Sequence, residues 1–320
     1  MSTSSLPSAD PAGLTPKLVI TMEPAVALDP RKKAPAPGVP PMELAFGFPR
    51  NFLDNRYVYV VISPRARGLT LGVNLTPART CTFDCAYCEV KRDEPVDSPD
   101  IDLETLEKEL YRTLAFVESG HIRRVPSFAA LPNDLLQLRH VALSGDGEPT
   151  LCPRFAEVVE TVVHVRALGR FPFFKMVLLT NATGLDLPPV QQGLKLFTKQ
   201  DEVWAKLDAG TQEYMHRINR PRATLEKVLA NILSLARQRP VVIQSLFCTI
   251  AGQEPSELEI QQYAERLKEL TERGAKISLV QIYSAVRPTA NSGCGHLPLK
   301  SLSRIAAYVK KTTGLAVEVF

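Results

Sequence analysis

The residues best suited to chemistry in this chain are three clustered cysteines, Cys81, Cys85 and Cys88. Three and then two residues separate them, and Tyr87 directly precedes the last. Thiolates are soft ligands that suit iron–sulfur clusters or zinc. A complete cubane cluster or a structural zinc site normally has four protein ligands, and no fourth Cys or His lies nearby in the sequence. Three ligands on one tight loop would leave one iron of a cluster open to bind another molecule.

Three other interpretations of these cysteines compete with a cluster. A disulfide would leave one cysteine over and needs an oxidising compartment. Cys85 and Cys88 alone have the spacing of a thioredoxin-like redox pair. A zinc knuckle would need a distant fourth ligand. With six cysteines in the chain, three of them clustered, the sequence fits a reducing cytosol better than a disulfide scaffold.

Length and composition set the broad class of protein. The 320 residues allow one large domain or two ordinary ones, and a hydrophobic content of 45% is ample for a sizeable core. The sequence begins without the pattern of a signal peptide and contains no run of ~18 apolar residues, so we expect a cytoplasmic protein with no membrane partner. A net charge of +4 permits an anionic partner but does not require one.

Residues 1–50 are a poor folding unit. Ten of the 26 prolines fall there, and proline removes a backbone donor and fixes φ, so few strands or helices can form. We therefore predict a Pro-rich, largely flexible N-terminal arm over 1–50, followed by one core domain over 51–320. The arm carries a short basic run, Arg31-Lys32-Lys33.

From residue 69 onward the pattern alternates between strands and helices. Short apolar runs predict strands at 69–75, 140–143, 175–179, 203–207, 240–247 and 277–283. Apolar residues three and four apart predict helices at 102–118, 155–163, 189–198, 225–233, 257–273 and 299–312. Ser256 and Glu259 have the spacing of a capping box at one helix start. An additional run, 57–62, is rich in strand-forming residues.

Continuous apolar strands separated by helices favour a parallel sheet covered on its outer face. Eight such strand–helix units would close a full barrel. The six counted here, joined by right-handed crossovers, predict an α/β fold of the open type, a partial (β/α)6 TIM-like barrel.

The cysteine motif resembles the signature of the radical S-adenosylmethionine (SAM) enzymes. The resemblance covers roughly residues 65–320, and the barrel it implies is the one that periodicity indicates independently. It implies a [4Fe-4S] cluster bound by Cys81, Cys85 and Cys88, whose fourth iron chelates the amino and carboxylate groups of SAM. An electron from the cluster would cleave SAM, and the resulting 5'-deoxyadenosyl radical would abstract hydrogen from a substrate.

The turn after the second predicted strand holds a candidate SAM contact. Gly145, Asp146, Gly147, Glu148 and Pro149 resemble the Gly-Gly-Glu-Pro motif, whose backbone in this family contacts the SAM amino group. The sequence departs from that motif at Asp146, which separates the two glycines. An ordinary strand-to-helix turn is the alternative interpretation.

Further candidate SAM contacts follow the later strands, because ligands of α/β barrels sit at the carboxyl ends of strands. The resemblance implies a polar contact at Asn181 and contacts from the Tyr87 backbone. Lys206 and Asp208 share one face of their strand, where Lys would suit a SAM carboxylate and Asp a ribose hydroxyl. A solvated Lys206 and a helix-capping Asp208 are the alternative. The backbone around Gln281 could hydrogen-bond adenine.

A group of arginines is expected near the same rim, and arginine recognises phosphate and carboxylate. Its members are Arg65, Arg67, Arg217, Arg220, Arg222 and Arg287. The segment 215–221 could be a lid over the site or a solvated loop. Together with the basic run of the arm, these arginines favour RNA or another phosphate-bearing molecule as substrate.

The motifs are similar to the radical SAM group that contains tRNA wybutosine-synthesis enzymes and, more distantly, to molybdenum-cofactor biosynthesis enzymes. The resemblance implies an electron donor such as flavodoxin or ferredoxin. Other functions stay open: a radical SAM enzyme for a peptide or small molecule, a non-catalytic iron–sulfur electron carrier, or a zinc-dependent nucleic-acid-binding module. Cys152, Cys248 and Cys294 are expected to be buried thiols without ligand roles.

Overall fold

The computed structural model describes residues 52–90, 100–286 and 293–320. The chain divides into two units, Met1–Pro37 and Gly38–Phe320, and every element named below belongs to the second. The predicted arm over 1–50 and the candidate Arg287 lie outside the described residues.

The strands of the second unit form one large, mostly parallel sheet and one small hairpin. The strands of the large sheet are β1 Val58–Ser63, β2 Gly68–Asn74, β3 Leu138–Ser144, β4 Lys175–Thr180, β5 Glu202–Lys206, β6 Val241–Leu246, β8 Ile277–Tyr283 and β10 Val317–Val319. They lie side by side in that order, with β1 antiparallel to β2 and all other neighbours parallel. Two further strands, β7 Cys248–Ile250 and β9 Cys294–His296, pair antiparallel with each other.

Helices connect the parallel strands. They are α1 Leu103–Glu118, α2 Pro126–Ala129, α3 Phe155–Ala167, α4 Pro188–Leu194, α5 Gln212–Ile218, α6 Leu225–Gln238, α7 Glu257–Glu272 and α8 Leu299–Thr313. Ser256 caps α7 as expected, its hydroxyl accepting the Glu259 amide hydrogen. The Glu259 carboxylate instead accepts hydrogen bonds from Gly210 N and from the amide and hydroxyl of Thr211. The capping pair therefore also anchors the turn that begins α5.

All six predicted strands are present, and the mostly parallel α/β sheet agrees with a partial TIM-like barrel. The structure extends the sheet at both edges. The 57–62 run forms β1, which turns back onto β2 through a tight turn with Arg67 at φ 55°. The three-residue strand β10 adds the opposite edge. It is too short to give a periodic signal in the sequence.

Successive side chains of each strand point to opposite faces of the sheet. One face packs against the helices in the main core. The other is the inner face, called the lumen below, where Val177, Trp204 and Val242 form a separate apolar cluster. Next to them, the ring of His140 meets the ring of Trp204 edge to face at a centroid distance of 5.4 Å. The sheet thus places its polar strand ends above an apolar, aromatic layer.

Candidate functional site

The cysteines lie in the segment 75–90, called the cysteine loop below, which follows β2 at the carboxyl end of the parallel strands. Cys85 is buried, whereas Cys81 and Cys88 are half-buried, and none of them forms a disulfide with a described residue. Burial raises the pKa of the Cys85 thiol to about 12, against the lowering effect of nearby Lys206. The loop therefore presents three thiols at the end of the sheet where barrel proteins bind ligands.

The 145–149 turn packs directly against the start of the cysteine loop. Asn74, the last residue of β2, donates to the Asp146 carboxylate at 2.6 Å and accepts from the amides of Thr76 and Asp146. The Glu148 amide donates to the Thr80 carbonyl at 2.8 Å. Gly147 is necessary for this approach, because a Cβ there would lie 2.1 Å from the Thr80 oxygen. The predicted turn and the cysteine loop thus touch through their backbones.

The Glu148 carboxylate forms its hydrogen bonds with other groups of the protein. It is buried and accepts hydrogen bonds from the hydroxyls of Thr150 and Thr180 and from the amides of Thr150 and Asn181. Burial raises the pKa of Glu148, although these hydrogen bonds lower it. Glu148 therefore fixes the 145–149 turn to the end of β4.

Asn181 connects the end of β4 to the cysteine loop. Its side-chain amide donates to Thr82 Oγ1 at 2.9 Å and to Cys81 Sγ at 3.7 Å. Its carbonyl oxygen accepts from the amide and hydroxyl of Thr183, which fixes the orientation of the amide group. In this structure the Asn181 amide points to a cysteine sulfur, and its contact with SAM stays a prediction.

The segment after α5 forms another wall of the loop. The carbonyls of Ile218 and Asn219 accept the amide hydrogens of Ala86 and Asp84 at 2.7 and 2.9 Å. The Asn219 side chain donates to Cys85 Sγ at 3.4 Å. Met215, Ile218 and Asn219 are buried. The 215–221 segment is therefore not a solvated loop, because its buried residues pack against the cysteine loop.

Lys206 and Asp208 share one face beside Tyr87, as alternation predicted, with Lys206 half-buried and Asp208 buried. Lys206 Nζ lies 3.4 Å from Asp208 Oδ1 and 3.1 Å from the Tyr283 hydroxyl. Burial by itself lowers the pKa of Lys206. The Asp208 carboxylate and other neighbours raise the pKa by a larger amount, so the net shift is upward. The ammonium is thus held charged between the rings of Tyr87 and Tyr283, 4.9 and 5.5 Å from their centroids.

Asp208 receives its hydrogen bonds from the protein. Its carboxylate accepts from the Tyr87 hydroxyl, from Asn219 Nδ2 at 2.8 Å and from the Leu246 amide at 2.8 Å. Tyr87 and Asn219 both belong to the cysteine-loop contacts described above. Asp208 therefore supports the loop, a role that sequence reasoning did not assign to it.

Gln281 lies in the lumen, where its side-chain oxygen accepts from Gln244 Nε2 at 2.9 Å. Its strand, β8, is paired on both sides, with β6 and with β10. The backbone around Gln281 is therefore part of the sheet ladder, and the expected adenine contact is not apparent from this geometry.

The arginines separate into two groups. Arg217, Arg220 and Arg222 are exposed beside the cysteine loop. Arg220 lies 3.5 Å from the Asp84 carboxylate, and the Arg222 amide donates to the Thr82 carbonyl. Arg65 and Arg67 lie in the β1–β2 turn, at the amino end of β2 and away from this group.

The donor set fits a cluster in two respects. Three thiols share one loop, and amide groups of Asn181 and Asn219 point at two of their sulfurs, as hydrogen-bond donors to anionic sulfur would. Among the described residues, no three His, Cys, Asp or Glu side chains converge in the way that one metal ion would need. Each thiolate of a cubane cluster binds a different iron, so convergence on one point is not required.

Comparison with known families shows the family of this chain. The family model of the radical SAM superfamily matches residues 75–259, more than half of the chain. The chain belongs to the radical SAM superfamily. Radical SAM proteins are enzymes that use a [4Fe-4S] cluster and SAM. The matched range contains the cysteine loop, the 145–149 turn, Asn181, Lys206, Asp208 and Asn219.

Individual radical SAM relatives are distant. A UPF0026 protein of Helicobacter pylori (strain J99) is 28% identical over 232 residues, which are 70% of this chain and 66% of that protein. The match thus spans slightly less than two thirds of the length of this relative.

Solved structures share the fold. One is described as TYW1 with a lysine-pyruvate adduct bound, with a TM-score of 0.51 and 17% identity over 80% of this chain and 84% of that one. Another is a radical SAM methyltransferase from Sphaerobacter thermophilus, with a TM-score of 0.56 and 15% identity over 82% of this chain and 68% of that one. Within the described residues of this radical SAM chain, every helix is too short or too polar to cross a membrane.

Proposed function

We propose that this radical SAM enzyme holds its [4Fe-4S] cluster with Cys81, Cys85 and Cys88 and uses SAM to abstract hydrogen from an RNA or another phosphate-bearing substrate. When bound, the cluster and SAM supply a 5'-deoxyadenosyl radical. The observation that carries the proposal is the construction of the cysteine loop. Backbone or side-chain contacts from the 145–149 turn, the end of β4 and the segment after α5 hold three thiols in one place.

The protein's own groups have distinct tasks in this proposal. Asn181 and Asn219 donate to the sulfurs of Cys81 and Cys85, which would orient these ligands and stabilise their negative charge. Lys206 places a half-buried cation beside Tyr87 of the loop, a suitable partner for a carboxylate.

SAM would be held by the backbone of Tyr87 and of the 145–149 turn, with Asn181, Lys206, Asp208 and Gln281 around it. Glu148 and Asp208 would act as positioning residues, because protein donors already occupy their carboxylates. This assignment changes the role proposed for Asp208, from a ribose contact to support of the loop.

The cluster assignment is tested by anaerobic reconstitution. We expect about four irons per chain and, after reduction with dithionite in place of flavodoxin or ferredoxin, formation of 5'-deoxyadenosine. Cys81→Ala, Cys85→Ala and Cys88→Ala should each lose both, whereas the control Cys152→Ala should keep them, since Cys152 is buried away from the loop. Stoichiometric zinc without iron in anaerobically prepared protein would refute the assignment.

The phosphate-bearing substrate is supported by the exposed arginines beside the cysteine loop. Contacts with phosphates release counterions, so RNA affinity should fall steeply with salt, by roughly 0.7–0.9 in the log–log slope for each contact. Arg217→Ala and Arg220→Ala should each flatten that slope by about one contact. Arg273→Ala is the matched control, because Arg273 is exposed at the end of α7. RNA binding that is absent at low salt, or indifferent to salt, would exclude RNA.

A further inference from the structure

Arg65 lies in the β1–β2 turn, apart from the arginines of the cysteine loop, and its side chain reaches the lumen. Its guanidinium carbon lies 4.2 Å from the centroid of the Tyr283 ring. Tyr283 is the last residue of β8, and its hydroxyl accepts from Lys206 Nζ on the lumen face. Arg65 also exerts an electrostatic effect on His140, another lumen residue. The stacking on Tyr283 therefore places this guanidinium at the inner face of the sheet, and its electrostatic effect on His140 agrees with that position.

Within the described residues, the guanidinium of Arg65 has no anionic partner. Its Nε is buried and makes no hydrogen bond. No ion pair or hydrogen bond joins the side chain to another residue of the ranges that the structure describes. A buried donor without a partner destabilises the protein, and more so when the donor is charged. Arginine presents five donors in a planar fork, so the half-buried, stacked Arg65, whose Nε is buried without a partner, suits a planar or tetrahedral oxyanion.

The other lumen cations near Arg65 are already neutralised. Lys175 lies 2.6 Å from the Glu202 carboxylate, and Lys206 lies 3.4 Å from that of Asp208. His140 stays uncharged, because burial and nearby cations lower its pKa to about 3. Among these described lumen groups, the positive charge of Arg65 is the one left uncompensated.

We propose that Arg65, stacked on Tyr283, binds an oxyanion group, a carboxylate or a phosphate, of the molecule that reacts in the lumen. The proposal rests on the proposed function, since it names a part of that substrate. Its location is defined by a series of alternating aromatic and cationic groups, Tyr87, Lys206, Tyr283 and Arg65, with successive separations of 4.9, 5.5 and 4.2 Å. A molecule anchored at Arg65 would extend along this series toward the cysteine loop.

The test uses Trp204, the single tryptophan of the chain, as a reporter in the lumen. Its ring contacts that of His140, which is electrostatically coupled to Arg65. Reconstituted protein is titrated with inorganic phosphate and, separately, with acetate at constant ionic strength, and Trp204 fluorescence and the thermal midpoint are recorded. Anions that bind to exposed arginines elsewhere on the surface should not change the fluorescence of Trp204, so the signal is specific for the lumen.

We expect a saturable response to at least one anion in the wild type, and at least tenfold weaker binding in Arg65→Ala. Arg65→Lys should bind with intermediate affinity, because it keeps the charge but loses the fork. Arg67→Ala is the matched control and should resemble the wild type, since Arg67 is exposed in the same turn and paired with Glu318 at 3.1 Å. The stronger of the two anions identifies the group as phosphate or carboxylate.

Two outcomes would overturn the proposal: no saturable response by either measurement in the wild type, or equal affinity in Arg65→Ala and the wild type. Equal weakening in Arg67→Ala would also overturn it, because the effect would then belong to the turn as a whole. Formation of 5'-deoxyadenosine by the wild-type enzyme is measured separately. Anion binding needs neither SAM nor an electron, so failure of the proposed function and failure of this inference are distinguishable.

Discussion

At the scale of single residues, Asp208 joins four parts of the chain. Its carboxylate accepts hydrogen bonds from Tyr87 of the cysteine loop, Asn219 after α5 and the amide of Leu246 at the end of β6, and it pairs with Lys206 on β5. The side chain is fully buried. Removal of one partner from such a network leaves a buried charge without its counter-charge or hydrogen bonds, and this strongly destabilises the folded state.

Asp208→Ala should therefore loosen the cysteine loop and weaken cluster retention. We expect several-fold less iron per chain after reconstitution and gel filtration, with 5'-deoxyadenosine formation reduced in proportion. Asp186→Ala is the control, since Asp186 forms a half-exposed ion pair with Lys227 at 2.6 Å. Equal iron content in Asp208→Ala and the wild type would show that the loop does not depend on this carboxylate.

His140 gives a prediction about pH. Its native pKa is lowered to about 3, first by burial and then by Lys175 and Arg65, whereas an unfolded histidine titrates near pH ~6.5. Below that pH the unfolded chain binds a proton that the native chain refuses, so stability falls as pH decreases toward the native pKa.

The substitution His140→Phe removes the titrating imidazole and keeps an aromatic ring against Trp204. Between pH 7 and pH 5 we expect wild-type stability to fall relative to His140→Phe by about 2 kcal/mol. Urea unfolding of reduced, metal-free protein at several pH values measures the difference. A constant difference between the two proteins across this range would contradict a native pKa well below 5.

At the scale of elements, the 145–149 turn and the cysteine loop meet where only glycine fits. In Gly147→Ala the new methyl group would collide with the Thr80 carbonyl, and the two segments must separate. We expect at least tenfold weaker SAM binding, measured by equilibrium dialysis of the reconstituted enzyme. In the control Gly293→Ala, the added methyl meets no atom of the described residues within 4 Å, so affinity should stay close to that of the wild type. Unchanged affinity in Gly147→Ala would separate the turn from the SAM site.

The elements were predictable from the sequence to the extent that they carry a repeating apolar pattern. All six parallel strands of the predicted barrel alternate with helices at the expected places, because each buries a continuous apolar run. Among the short elements, α4 was predicted over 189–198, whereas α5 and β10 were missed. Helix α5 has seven residues and β10 has three, lengths at which periodicity carries little information. They form because tertiary contacts support them, as Glu259 supports the turn before α5.

The parts of the site whose residues lie close together in the sequence were predictable. The cysteines lie within eight residues and the 145–149 turn is contiguous, so their spacing is visible in the sequence. Asn219 was not found, because its contact with Cys85 joins residues 134 positions apart. For Glu148 and Asp208, the residues were noticed but most of their hydrogen-bond partners could not be, since these lie far away in the sequence.

At the scale of the whole molecule, contacts from distant parts of the chain support the cysteine loop. Its backbone is bonded to the segment after α5 and to the 145–149 turn, and the main core contains strands and helices from the whole described chain. Iron removal should therefore leave the fold in place. We expect an unchanged far-ultraviolet circular dichroism spectrum after chelation, with a modest decrease in the thermal midpoint. Loss of helical signal on chelation, as in zinc fingers, would show that metal binding and folding are one event.

The long sequence separation of the loop's contacts also determines an order of events during biogenesis. Asn181 and Asn219 lie 100 and 134 residues after the cysteines they contact, and closing such long loops is entropically slow. During synthesis, the three cysteines leave the ribosome long before Asn181 and Asn219 are added to the chain. The loop can take its final shape only after α5 has docked. The iron–sulfur cluster would thus be inserted into a chain that is already folded. The thiols would have to be protected from oxidation until then.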